Sequence, residues 1–125
     1  MPIAETVDGF ARALRTHLRL VGKDPVLRAL VAELRKTGAK LVFANTTPVP
    51  EGKLNPPRNF GDVATYNQIA LKVMQEQGVA VDDLNAAITP DLAKLQRPHD
   101  VHYTAEGYEA LAQAVVKSLL KALGK

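Results

Sequence analysis

Two short apolar runs, separated by a helical pattern, most constrain how this chain can fold. The first is AKLVFANT at residues 39–46, and the second is VAVDDLN at residues 79–85. Between them, apolar side chains recur at helical spacing, at Val63, Tyr66, Ile69, Ala70, Val73 and Met74. A strand, a helix and a second strand in this order form a crossover unit. The pattern therefore predicts an α/β layer with parallel strands.

Four further helices are predicted around this unit. They span about 4–20, Asp24-Pro25 to Thr37-Gly38, Thr89-Pro90 to about Leu95, and a last helix with the stripe Tyr108, Leu111, Ala112, Val115, Leu119 and Ala122. Asp62 is the expected cap of the middle helix, which Gly78 ends. The segment TPVPEGKLNPPRNFG contains four prolines and two glycines and is predicted as a long loop. No repeat or linker divides the chain, so a single domain over residues 1–125 is expected.

Two strands are few for a parallel sheet, which is normally covered on both faces. An apolar strand such as KLVFA at an open edge favours pairing with another chain. Either a further strand is present that the pattern does not show, or the chain is part of something larger, or it pairs with a partner or with a copy of itself. We expect a helix-rich α/β fold that is completed by oligomerisation.

Composition narrows the functional classes. The sequence has no cysteine, which excludes disulfides, thiolate metal sites and cysteine nucleophiles. The net charge is +3, but basic residues alternate with acidic ones and aromatics make up only 5%, which argues against nucleic-acid binding. No apolar run has membrane-spanning length, and MPIAETVDGF lacks the apolar core of a signal peptide. The sequence does not identify the cellular compartment of the protein.

The stretch RPHDVHYTAEGY, residues 97–108, holds the clearest chemical signal. A polar loop with two histidines and an aspartate leads directly into the last helix. His102 is a candidate general base, and Asp100 is a candidate orienting acid for its ring. The alternative is that Asp100 and Thr104 are turn and cap residues beside solvated histidines.

A second candidate group follows the first strand. Ligands of open α/β sheets bind beyond the carboxyl ends of the strands. We therefore predict that Asn45, Thr46 and Thr47 contact a substrate. The polar residues 82–85 after the second strand border the same rim.

Other sites are weaker. His99 and His102 with Asp82, Asp83 or Asp100 have metal-ligand character, but adjacent loop positions do not define a coordination shell, and no metal or cofactor is expected.

The one serine, Ser118, lies sixteen residues beyond His102, which is roughly 20 Å along a helix, too far to act as its nucleophile. Thr46 or Thr47 would need special activation to act as one.

DVHYTAEGYEALA resembles the last block of the SGNH/GDSL hydrolases, a family of serine esterases and lipases with a flavodoxin-like three-layer fold. KTGAKLVFANTTPVPEG and YNQIALKVMQEQGVAVDDLNA resemble further segments of that family, so the resemblance covers about Leu34 to Leu123. It implies that His102 is the base and Asp100 its acid. It also implies cleavage of an acyl or acetyl ester, including acetyl groups on carbohydrate.

The sequence departs from the family pattern in two ways. The acid commonly stands three residues before the histidine, where this chain has His99. The Gly-Asp-Ser block with the nucleophile, and the Gly and Asn blocks of the oxyanion hole, have no counterpart here.

Two hypotheses follow. The chain is an ester hydrolase domain whose serine comes from elsewhere, or it is a non-catalytic domain, truncated or engineered, that self-associates through its sheet edge.

Overall fold

The computed structural model describes residues 24–52, 54 and 61–125. The helix predicted over residues 4–20 lies outside this part. The chain divides into two compact units, Met1–Ala39 and Lys40–Lys125. The number of independently folding domains therefore stays a prediction.

Helix α1, Asp24–Arg35, belongs to the first unit. Pro25 lies in its first turn, where a missing backbone N–H leaves no hydrogen bond unmade. At the other end, the Thr37 hydroxyl donates to the Leu34 carbonyl, and Gly38 adopts a left-handed φ of 74°. Thr37 and Gly38 therefore end this helix as the sequence predicts.

The second unit contains the remaining elements. They are β1 (Val42–Ala44), α2 (Asp62–Gln77), β2 (Ala80–Asp82), α3 (Leu84–Ile88), a short 3-10 turn (Thr89–Asp91), α4 (Leu92–Leu95) and α5 (Ala105–Ala122).

The two strands form a parallel pair, as predicted. Val42 pairs with Ala80, Phe43 with Val81 and Ala44 with Asp82. The Asn45 amide donates to the Asp82 carbonyl at 3.2 Å and continues the ladder by one bond. Within the described part of the chain each strand pairs on one side only, which gives a helix-rich α/β fold with a small sheet.

Helix α2 supplies much of the buried core of this unit, through Val63, Ala70, Val73 and Met74. It ends at Gly78, whose left-handed backbone (φ 67°) donates back into the last turn, as predicted. The predicted cap was wrong: Gly61 holds the N-cap position, and Asp62 is the first helical residue. A carboxylate is favourable there because the first turn carries the positive end of the helix dipole.

The segment after β2 also differs from the prediction. The sequence pattern assigned residues 82–85 to the strand end and began a helix at Thr89, whereas α3 already begins at Leu84. The Asp83 carboxylate accepts from the Ala86 amide at 2.9 Å and caps this short helix. A side-chain cap therefore turns the chain before the apolar residues can extend the strand.

Helix α5 packs against both strands and α3. Its inward face carries the buried Gly107 and the half-buried side chains Leu111, Ala114, Val115, Ser118 and Ala122. The predicted last helix is confirmed. Of its apolar stripe, Leu111, Val115 and Ala122 are half-buried, whereas Tyr108, Ala112 and Leu119 are exposed. No helix in the described ranges is long and apolar enough to cross a membrane.

Candidate active site

The histidine loop, residues 97–102, begins with a tight turn. The Asp100 amide donates to the Arg97 carbonyl at 3.3 Å. Pro98 and His99 occupy the two central positions, and His99 has a φ of 55°. Proline at the first central position and a positive φ at the second are the pattern of a type II turn. The turn reverses the chain directly before Asp100.

Main-chain hydrogen bonds close the base of the loop. The Arg97 amide donates to the His102 carbonyl at 3.0 Å, and the Thr104 amide donates to the Leu95 carbonyl at 2.8 Å. Directly after the loop, the Thr104 hydroxyl accepts from the Gly107 amide at 3.1 Å and caps α5. The backbone of His102 is therefore held at the entry to a long helix.

Asp100 and His102 form a paired site within this loop. One oxygen of Asp100, Oδ1, lies 2.6 Å from His102 Nδ1 and also accepts from the His102 backbone amide at 3.0 Å. A spacing of two residues therefore suffices to bring the acid to the ring. With the proton on Nδ1 and donated to Asp100, the lone pair of Nε2 is left for a substrate proton.

The site is open to solvent. The His102 side chain is 63% exposed, and that of Asp100 is 37% exposed. The pKa of the Asp100 carboxyl is held below its ordinary value, first by the His102 backbone amide and then by the His102 side chain. Asp100 is therefore ionised at neutral pH and able to orient the imidazole.

The lowered pKa of Asp100 predicts a pH-dependent contribution to stability. A carboxyl whose pKa is lower in the folded state stabilises the fold above its unfolded-state pKa and loses that contribution as the pH falls through the folded-state value. For Asp100 this contribution is expected to be lost as the pH falls below 3.8, the ordinary pKa of its carboxyl group. Urea unfolding should show Asp100→Asn as less stable than the wild type near pH 5, and the difference in the free energy of unfolding should shrink as the pH falls below 3.8. A difference that does not change with pH would contradict this.

The Asp100 contact also predicts the tautomer of neutral His102. Long-range proton–nitrogen NMR correlations should place the His102 proton on Nδ1 in the wild type. In Asp100→Ala the proton should move toward Nε2, the position favoured in a free histidine side chain. His99 serves as the internal reference because it lies in the same loop and should be unchanged. An Nε2-protonated wild type would contradict the geometry.

A network of amide side chains connects the two strand ends. Asn45 Nδ2 donates to Asp83 Oδ1 at 2.7 Å, and Asn45 Oδ1 accepts from the Asn85 amide at 2.9 Å. Asn67 bonds the Thr46 backbone twice, accepting from its amide at 3.0 Å and donating to its carbonyl at 2.8 Å. The network fixes the backbone at the carboxyl edge of the sheet.

The predicted substrate residues lie on this rim. The Asn45 side chain donates from Nδ2 and accepts at Oδ1 within the network, and the Thr46 backbone is held by Asn67. In the described ranges no hydrogen bond joins His102 to Asn45, Thr46 or Thr47. Their contact with substrate stays a prediction. Sequence reasoning missed Asn67, whose only signal is a polar side chain near the first turn of α2.

Tyr103, next to His102, is buried, at 3% exposure. Burial raises the pKa of its hydroxyl, and an interaction with the Thr47 side chain offsets part of that rise. Within the described residues the hydroxyl has no hydrogen bond of good geometry.

Removal of this hydroxyl is therefore expected to leave the fold intact. An unsatisfied buried hydroxyl costs about 1–3 kcal/mol, so Tyr103→Phe should match or exceed the wild type in stability. Chemical denaturation measures the difference. A loss above about 1 kcal/mol would indicate a formed hydrogen bond to Thr47.

A cavity of about 530 Å³ lies on the face of the sheet that α2 covers. Apolar side chains dominate its lining, including Phe43, Leu71 and Val81, and Asn45 lies at its border. Asp100 and His102 do not line it. The cavity and the histidine loop are therefore separate features that adjoin the same segment after β1, at Pro48.

The nucleophile is the missing part of this arrangement. Ser118, the sequence's one serine, is half-buried on the inward face of α5, about four turns along the helix from its start. It cannot reach His102. Within the ranges that the structure describes, no three histidine, aspartate or glutamate side chains are arranged to hold a metal ion.

Comparisons with known proteins identify the family. A sequence profile of the GDSL-like lipase/acylhydrolase family matches residues 4–110. The match extends the resemblance at the amino-terminal side to the region before α1, and it includes the whole histidine loop. A search of curated protein sequences gave no match.

Proposed function

Because the chain belongs to the GDSL-like lipase/acylhydrolase family, we propose that its histidine loop supplies the general base of an acyl ester hydrolase. The contact of 2.6 Å between Asp100 Oδ1 and His102 Nδ1 carries the proposal. It orients the ring, and the exposed position of His102 leaves Nε2 accessible to a hydroxyl group and an ester.

The proposed reaction follows from this geometry. Nε2 of His102 takes the proton of a hydroxyl nucleophile as its oxygen bonds to the ester carbonyl carbon. The carboxylate of Asp100 stabilises the resulting imidazolium. The imidazolium then returns the proton to the leaving alcohol as the ester C–O bond breaks. Water repeats the same two transfers to release the acid from the acyl-enzyme.

The nucleophile in this proposal is a serine from outside residues 1–125, either from further sequence of the same protein or from a complementary chain. The position of Ser118 supports this. Asn45, Thr46 and Thr47 are the proposed substrate contacts at the sheet edge. Acyl esters, including acetyl groups on carbohydrate, are the proposed substrates.

Complementation tests the proposal. The purified chain would be mixed with a polypeptide carrying the Gly-Asp-Ser, Gly and Asn blocks of a GDSL-family hydrolase, and p-nitrophenyl acetate hydrolysis would be followed. Turnover should appear only in the mixture. The matched control replaces the added serine with alanine. Absence of turnover from a mixture in which binding is demonstrated would overturn the proposal.

A second candidate function is non-catalytic self-association. Two observations favour it. The strands pair on one side only within the described residues, and α5 together with its C-cap Leu123 exposes apolar side chains, at Val116, Leu119, Leu120 and Leu123. Analytical ultracentrifugation would then show a homo-oligomer, with no hydrolysis in any mixture. A well-folded monomer at high concentration would contradict this candidate.

A further inference from the structure

The base of the histidine loop contains a pair of buried residues that the proposed chemistry does not use. Gln96 and Tyr103 form an antiparallel bridge on the two sides of the loop. Gln96 is 9% exposed and Tyr103 is 3% exposed. Buried glutamine is uncommon because burial of an amide without partners is unfavourable.

The Gln96 side chain makes a long-range contact. Its Nε2 atom donates to the carbonyl of Pro48 at 2.9 Å, across 48 residues of sequence. Pro48 lies in the segment that follows β1 and holds the proposed substrate contacts. The Tyr103 hydroxyl lies close enough to the Thr47 side chain for Thr47 to lower its pKa, although no hydrogen bond of good geometry joins the two. Both residues at the base of the histidine loop therefore adjoin residues 47–48.

We infer that Gln96 is a positioning residue that ties the histidine loop to the segment after β1. The Asp100–His102 pair is internal to the loop, so it orients the ring but does not fix where the ring lies relative to the substrate. The bond from Gln96 to Pro48 supplies that second constraint. The consequence for hydrolysis rests on the proposed function, whereas the mechanical link does not.

Gln96→Met tests the inference because methionine is similar in size and flexibility but cannot donate to Pro48. Amide hydrogen exchange at Thr46, Arg97 and Thr104 should accelerate at least tenfold, while exchange in the buried part of α2, at Val73 and Met74, should not change. The His102 tautomer should also be unchanged. Gln96→Glu, which keeps the shape and places an oxygen against the Pro48 carbonyl, is a second variant.

Gln113→Met is the matched control. Among the described residues, the Gln113 side chain donates to Glu109 on the exposed face of α5, at 3.2 Å, so its replacement should not affect exchange in either loop. If Gln96→Met accelerated amide exchange equally in the loops and in α2, Gln96 would stabilise the whole fold and not the link between the two segments. That result would overturn the inference. No acceleration anywhere would overturn it as well.

Activity provides a separate readout. In the complemented hydrolase, Gln96→Met should lower kcat about tenfold, because small misplacements of a reacting group are costly. Unchanged kcat in an active mixture would contradict a positioning role. If no mixture is active, the proposed function fails, and the exchange pattern still decides whether Gln96 links the two segments.

Discussion

Replacement of His102 by asparagine is expected to lower kcat/KM of the complemented hydrolase by about 10³-fold. A positioned general base contributes roughly 10²–10⁴-fold to such reactions. Asparagine can still donate from Nδ2 to Asp100, so the turn should be preserved while the basic nitrogen is lost. Initial rates of p-nitrophenyl acetate hydrolysis at saturating complement measure the effect.

His99→Asn is the control for this experiment. It makes the same substitution three residues earlier in the loop, at a histidine that has no carboxylate contact in the described structure. Asparagine also tolerates the left-handed backbone of position 99, where φ is 55°. Its rate should stay within about twofold of the wild type. Equal losses in both variants, or no loss in His102→Asn, would remove His102 from the mechanism.

Replacement of Gly107 by alanine is expected to destabilise the protein by about 3 kcal/mol, at the upper end for overpacking. An added Cβ would lie 2.5 Å from the Leu95 carbonyl oxygen and 2.9 Å from Tyr103 Cβ. The first contact is with a backbone atom. Gly107 and Leu95 therefore cannot move apart unless α5 is displaced from the base of the histidine loop. For a chain of this size the thermal midpoint should fall by about 10 °C or more.

Gly61→Ala is the matched control. Gly61 has a φ of −69° at the start of α2, and no heavy atom lies within 4 Å of an added Cβ. Alanine there should change stability by less than about 1 kcal/mol, because the restriction of the unfolded chain opposes the poorer preference of alanine for an N-cap position. If Gly107→Ala were as stable as Gly61→Ala, the close approach of α5 to the loop would not exist in solution.

The sequence by itself determined the features that depend on local backbone chemistry. The end of α2 could be predicted because Gly78 adopts a left-handed conformation that other residues resist. The parallel strands could be predicted because a helix separates two apolar runs. The resemblance to the GDSL hydrolases could be recognised from the run of residues around His102, and the family profile confirms it.

Only the tertiary structure decided how these features meet. The backbone at His99 is left-handed, and a positive φ at a residue other than glycine has no reliable sequence signal. The 2.6 Å contact between Asp100 and His102 also required the structure, because the residue types alone do not show which way the two side chains point. The bond from Gln96 to Pro48 and the Asn67 contacts to Thr46 join residues far apart in sequence, which periodicity cannot relate. The covered face of α5 is also set by the tertiary structure: an apolar stripe shows that a helix is amphipathic, but the packed neighbours determine which of its residues are covered.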